Sequence, residues 1–119
     1  MFKILVVDDE PDLRYLLRRI LSRAGHEVTD AGHGAAALQA VRACAPDLVI
    51  TDMMMPVMGG AELIHRLHTD PATARIPILA VTGDAHLAGG ADAVLPKPYR
   101  SAEILAAANA LLAQKADHE

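Results

Sequence analysis

The sequence predicts a doubly wound α/β fold: a five-stranded parallel sheet with helices on both faces. Short apolar runs rich in β-branched residues alternate with longer stretches whose apolar residues recur every three or four positions, which is the spacing of βαβ units. Charged residues close the short runs at their carboxyl ends, where open α/β sheets keep their ligands: Asp8 and Asp9 after Ile4-Leu5-Val6-Val7, Asp52 after Leu48-Val49-Ile50-Thr51, and Lys97 after Ala93-Val94-Leu95. No repeat or linker divides the 119 residues, so 1–119 reads as one domain.

Each element has its own signal. Residues 2–7 form a buried strand, and 12–24 a helix with Leu13, Leu16, Leu17, Ile20, Leu21 and Ala24 on one face and Gly25 as its stop. Residues 26–31 make a more polar strand, as an edge strand would be. Residues 35–45 form a helix with Leu38 and Val41 inward, ended by Pro46, and 47–51 the third strand. Pro56, Gly59 and Gly60 force a loop after Asp52, and a helix near 60–69 turns Leu63, Ile64 and Leu67 inward. Pro77 opens the strand 78–82, and the short strand 93–95 meets Pro96 at the other edge. Ser101 is the expected N-cap of a helix over 101–114 that buries Ile104, Leu105, Ala108, Leu111 and Leu112, followed by a frayed polar tail.

Composition narrows the function. The formal charge of -4 gives no electrostatic footprint for nucleic acid or an anionic membrane, and no apolar stretch is long enough to span a bilayer. The single cysteine, Cys44, cannot form an internal disulfide and reads as a small core residue. The N-terminus enters a strand without an export signal, so the expected location is the cytoplasm.

The strand tips carry the chemistry. Three carboxylates about 4 to 6 Å apart repel by a few kcal/mol per pair at an effective dielectric near 20, and a hard divalent cation removes that cost. Oxygen donors without histidine or thiol favour Mg²⁺, with Mn²⁺ as the alternative, over zinc. Lys97 supplies a point charge for a phosphoryl oxygen and Thr82 a hydroxyl for another, so Asp52 is placed as a nucleophile towards phosphorus.

In this order, Ile4-Leu5-Val6-Val7-Asp8-Asp9-Glu10-Pro11, Pro46-Asp47-Leu48-Val49-Ile50-Thr51-Asp52-Met53-Met54-Met55-Pro56-Val57-Met58-Gly59-Gly60, Thr82-Gly83 and Lys97-Pro98-Tyr99 resemble the receiver domain of bacterial response regulators, the CheY-like phosphoacceptor modules of two-component signalling. The resemblance implies a flavodoxin/CheY-like sheet of order 2-1-3-4-5. It implies that Asp52 accepts a phosphoryl group from a phosphohistidine on a sensor histidine kinase or histidine phosphotransfer protein. Asp9 and Asp52 would bind Mg²⁺ directly, Asp8 through water, and the backbone carbonyl of Met54 would complete the protein ligands. Lys97 would pair with the phosphoryl group next to a cis bond to Pro98, and Thr82 would swing to the phosphate and bias partner binding to a downstream protein. Such a domain assists only its own phosphorylation and dephosphorylation and is not an enzyme in the usual sense.

Two departures stand out. The aromatic switch residue that the family carries three positions before the lysine is here Val94, and only fifteen positions separate Thr82 from Lys97. The segment 83–92 is about two turns short of the family's fourth helix, which is expected to be missing, vestigial or mobile. Dimerisation by the family's usual face is then not implied, leaving a monomer or weak dimer. A receiver-like interaction module that works without phosphate is the alternative, and the retained acids and lysine oppose it. A dinucleotide fold read from Gly32-His33-Gly34 gives Asp8 and Asp9 no role, and a haloacid-dehalogenase-type phosphatase wants a second acid where Met54 stands. Arg14, Arg18, Arg19 and Arg23 form an outer helix face that could meet a phosphodonor. Glu62, His65 and His68 read as solvated surface, and the methionines of 53–58 as packing.

Overall fold

The computed structural model describes residues 2–84, 86 and 89–117, with side chains described as far as Gln114. In chain order the elements are β1 (Lys3–Val7), α1 (Pro11–Arg23), β2 (Glu27–Ala31), α2 (Gly34–Cys44), β3 (Leu48–Asp52), α3 (Gly60–Thr69), β4 (Ile78–Thr82), β5 (Ala93–Pro96) and α4 (Ser101–Asp117). All strand pairs are parallel, in the order β2-β1-β3-β4-β5. The polar strand β2 and the short strand β5 are the two edges, as the sequence predicts.

Side-chain alternation along each buried strand feeds two cores. Ile4, Val6, Leu48, Ile50, Leu79 and Val81 face Leu17 and Leu21 of α1 and Ile104, Ala108 and Leu112 of α4. Leu5, Val7, Val49, Ile78 and Ala80 face Ala37 and Val41 of α2 and Leu63, Ile64 and Leu67 of α3. Each fully buried leucine or isoleucine contributes about 1.5–3 kcal/mol, so both layers hold the strand tips in register.

The helix ends follow local chemistry. Pro11 starts α1, where its missing N–H is unneeded, and Gly25, at φ +95°, stops it with its N–H bonded to Ser22 O. The buried stripe of α1 is narrower than the sequence implies: Leu17 and Leu21 are inside, Leu13 and Ile20 half-buried, and Leu16 is 49% exposed. His33 caps α2, its Nδ1 accepting from the Ala36 N–H at 3.1 Å. Ser101 is the first helical residue of α4 rather than its cap. Arg100 holds the cap position, its carbonyl accepting from the Glu103 and Ile104 N–H groups while its own N–H donates to Glu103 Oε1 at 2.8 Å. The helix then runs three residues past the expected end. Cys44 is half-buried with a free thiol.

Among the described residues no α-helix stands between β4 and β5, in agreement with the short segment 83–92. Residues 85, 87 and 88 of that segment, and residues 118 and 119 of the tail expected to fray, lie outside the described residues. The segment is anchored where it rejoins the sheet: Asp92 accepts from Ile78 N–H at 2.7 Å through Oδ2 and donates its own N–H to Ile78 O at 2.9 Å.

Candidate functional site: an acidic cluster at the strand tips

Parallel strands end on the same edge, and the register decides which tips meet. Val7 pairs Thr51, Asp52 pairs Val81, and Thr82 pairs Pro96, so residues 8, 52, 82 and 97 line one rim of the sheet. Asp52 is the last residue of β3 rather than the first of the loop, which fixes its backbone in the sheet.

Carboxylate oxygens of Asp8, Asp9 and Asp52 all lie within 4.8 Å of one another. Asp8 is 3% and Asp52 7% exposed, with Asp9 the most open of the three. Lys97 Nζ is 3.4 Å from Asp52 Oδ1. The same oxygen accepts from the Met53 N–H at 2.8 Å and, more weakly, from the Met54 N–H at 3.5 Å. Asp8 Oδ1 accepts from the Glu10 N–H at 2.9 Å. One ammonium cannot balance three carboxylates, and the donor set is all hard oxygen at the spacing of a shared ion, so the cluster fits Mg²⁺.

The electrostatics agree. Burial pushes the Asp8 carboxyl above its ordinary value, the Glu10 N–H opposes this, and the Asp52 charge adds to it. Tyr99, half-buried at the turn after Pro98, has its phenol raised by burial and then by the charges of Asp8 and Asp52. The Lys97–Pro98 bond is cis, as expected. Buried Thr82 turns its hydroxyl to Asp84, accepting from its N–H and donating to its carbonyl, both at 3.1 Å.

The loop from Met53 to Gly59 is shaped by steric facts that no residue count reveals. A Cβ on Gly60 would fall 2.6 Å from Asp52 O and 2.7 Å from Met53 Sδ, and one on Gly34 would fall 2.5 Å from Met58 Sδ. Glycine at 60 therefore lets α3 begin directly against the end of β3, and glycine at 34 leaves room for the Met58 side chain. Between them Val57 takes φ +70° in a tight turn closed by the Met58 N–H to Pro56 O at 2.8 Å.

A model of the family described as the response regulator receiver domain matches residues 4–109. The chain belongs to this family. Among its relatives, the response regulator receiver protein Anae109_2439 of Anaeromyxobacter is 43% identical over 110 residues, covering 88% of this chain and 46% of the relative. This receiver domain spans about half the length of the curated relatives it matches. The chemotaxis protein CheY4 of Vibrio cholerae superposes with a TM-score of 0.88 at 30% identity, covering 93% of this chain and 98% of that one. The response regulator TrrA of Thermotoga maritima, solved in complex with Mg(2+)-BeF, superposes with a TM-score of 0.84 at 32% identity, covering 93% and 99%. Receiver domains are phosphoacceptors of two-component signalling that bind Mg²⁺ and are phosphorylated by histidine kinases.

The structure brings together Asp8, Asp9, Asp52 and Lys97, with Thr82 on the same rim. Val94, where the family carries its aromatic, is 41% exposed. The helical period puts Arg14 with Arg18, Arg19 and Arg23 on an outer face, and sequence reasoning misses its inward contacts: its Nη1 donates to Asp8 O at 2.7 Å and its Nε to Asp30 Oδ2 at 3.2 Å. The available signal was direction: helical side chains lean towards the N-terminus, which for Arg14 is where the acidic pair lies. Among the described residues no helix is long and apolar enough to cross a membrane.

Proposed function

We propose that Asp52 is the phosphoacceptor, that Asp8, Asp9, Asp52 and the Met54 carbonyl hold the Mg²⁺, and that Lys97 and Thr82 receive the phosphoryl oxygens. The observation that carries this is the meeting of Asp52 Oδ1 with Lys97 Nζ at 3.4 Å beside two further carboxylates. In the transfer, a carboxylate oxygen of Asp52 forms a bond to phosphorus as the phosphorus–nitrogen bond of the phosphohistidine breaks, and the imidazole leaves with the electron pair and takes a proton from water. Mg²⁺, or Mn²⁺ in its place, supplies positive charge to the phosphoryl oxygens when bound.

The chain's residues do the rest. The Met53 N–H fixes the Asp52 carboxylate, and Lys97 faces the incoming phosphate from a half-open position that water and substrate can reach. For the Thr82 hydroxyl to turn to the phosphate it leaves the Asp84 backbone, so phosphorylation is coupled to the start of segment 83–92 without an aromatic at Val94.

The donor is a phosphohistidine on a kinase or phosphotransfer protein. A cavity of about 460 Å³ lined by Leu13, exposed Leu16, Lys97, Pro98 and Tyr99 opens beside the lysine. An apolar helix face beside the phosphohistidine fits there. The domain turns over no separate substrate, its net charge of -4 favours a protein over nucleic acid as its direct partner, and we infer a monomer or weak dimer in the cytoplasm. Incubation with acetyl phosphate and Mg²⁺, read by intact mass, should add one phosphoryl group to the wild type and none to Asp52→Asn. Modification that persists in Asp52→Asn overturns the assignment.

A further inference from the structure

We infer that Arg14 is a positioning residue for the metal-binding acids, acting through the peptide of Asp8. The inference rests on the metal site proposed above. The Asp8 backbone is held at both ends: its N–H donates to Ala31 O at 3.2 Å, and its carbonyl accepts from Arg14 Nη1 at 2.7 Å, a short charge-assisted bond. Arg14 is itself clamped. Its Nε reaches Asp30 Oδ2 at 3.2 Å, Asp30 Oδ1 takes Arg18 Nη1 at 3.5 Å, and the guanidinium lies so close to Gly32 that a Cβ there would stand 3.1 Å from Nη1. The side chain is 21% exposed, so the fork is largely shielded from competing water. One guanidinium thus links α1, the end of β2 and the turn after it to the residue from which the acidic pair projects.

Geometry and charge make opposite demands on this residue. A cation close to the acids raises the local potential and by itself weakens binding of a second cation, so removing Arg14 should tighten Mg²⁺ binding if charge were its only effect. As a positioning residue it does the reverse: without it the Asp8 carbonyl loses its donor and the acids their fixed spacing, and binding weakens. Partners of this kind set metal affinity by orienting the ligands they do not replace.

Isothermal titration of the full chain with MgCl₂, with far-UV circular dichroism as the check on folding, separates the two. Arg14→Met should bind Mg²⁺ about tenfold more weakly than wild type. Arg14→Lys, which keeps the charge but cannot hold Asp8 O and Asp30 together, should weaken it by a similar factor, and it decides the matter if Arg14→Met does not fold. Asp30→Asn, which keeps the guanidinium-to-carbonyl bond, should lose less. Unchanged or tighter binding in Arg14→Met or a folded Arg14→Lys overturns the role of Arg14 alone. Absence of Mg²⁺ binding in the wild type overturns the metal site and this inference with it.

Discussion

The Lys97 ammonium stands 3.4 Å from Asp52 Oδ1, joining the turn after β5 to the tip of β3 across β4. Asp52 is almost fully buried while Lys97 keeps part of its side chain in water, so the lysine offsets the Asp52 charge and stays open to an arriving anion. Lys97→Met should slow phosphorylation by acetyl phosphate by about ten- to a hundredfold, the loss of one charge-assisted contact of roughly 1.5–3 kcal/mol. Lys97→Arg should recover part of the rate, and equal rates in wild type and Lys97→Met would remove the lysine from the site.

Asp8 gives a pH prediction with a definite sign. Its folded-state value lies above the ordinary 3.8, first because of burial and then because of Asp52 acting against the Glu10 N–H. Between 3.8 and that raised value the folded protein holds more protons than the unfolded chain, so the Asp8 contribution favours folding at the acid end and is lost as pH rises through the window. At neutral pH and without metal, Asp8→Asn should therefore melt higher than wild type. Added MgCl₂ should raise the melting temperature of wild type and do much less for Asp8→Asn, and a variant that melts lower without metal contradicts the sign.

The close approach of Gly34 to Met58 should appear as a rescue. Gly34→Ala is expected to destabilise by about 1–3 kcal/mol through overpacking; Met58→Ala in the same chain removes Sδ and Cγ but keeps the Met58 Cβ, 2.7 Å from the added methyl, so it should recover only part of that loss. Gly60→Ala has backbone as well as sulfur in its way, so a partner substitution at Met53 should rescue it less. Denaturant midpoints at constant slope would measure all three, and simple additivity at 34 and 58 would count against the contact.

Val57 is a β-branched residue at φ +70° with its side chain fully in solvent. Nothing is gained by that side chain in packing, and the conformation costs about 1–3 kcal/mol. Val57→Gly should raise stability by up to about 1 kcal/mol once glycine's own chain entropy is subtracted. A lower melting temperature would show that the turn is unstrained.

Hydrogen exchange should distinguish the two ends of segment 83–92. The Asp92 N–H, bonded to Ile78 O, should be protected with β4, whereas the exposed Gly89 and Gly90 should exchange within the dead time of a manual experiment. Slow exchange at both glycines would mean that a covering element has formed over β5.

The sheet was fully legible in the sequence because buried parallel strands are continuous apolar runs, and the acids and lysine were legible because such strands can only end on a common edge. Helix termini were less so: Arg100 caps α4 through its backbone and the Glu103 carboxylate, a signal that lies in position 103 rather than in the hydroxyl of Ser101. Exposed Leu16 looked like core because its spacing fits the stripe, yet the helix turns only Leu17 and Leu21 fully inward. Gly60 reads as a loop residue and Gly34 as part of a loose glycine fingerprint, whereas their reason is a neighbour distant in sequence or a backbone approach that only coordinates reveal. Arg14 was hidden for the same reason, since its partners Asp8 and Asp30 are brought to it by the pairing of β1 with β2.

The sheet's outer strand β5 has four residues, ends in a proline and lies at an edge beside which, among the described residues, no α-helix stands between β4 and β5. An uncovered edge is ordinarily an aggregation hazard, because unpaired amides can template a second chain. Here the ribbon is too short to propagate a cross-β stack, and Pro96 removes a donor from its last position, so this rim is a poor seed for fibrils.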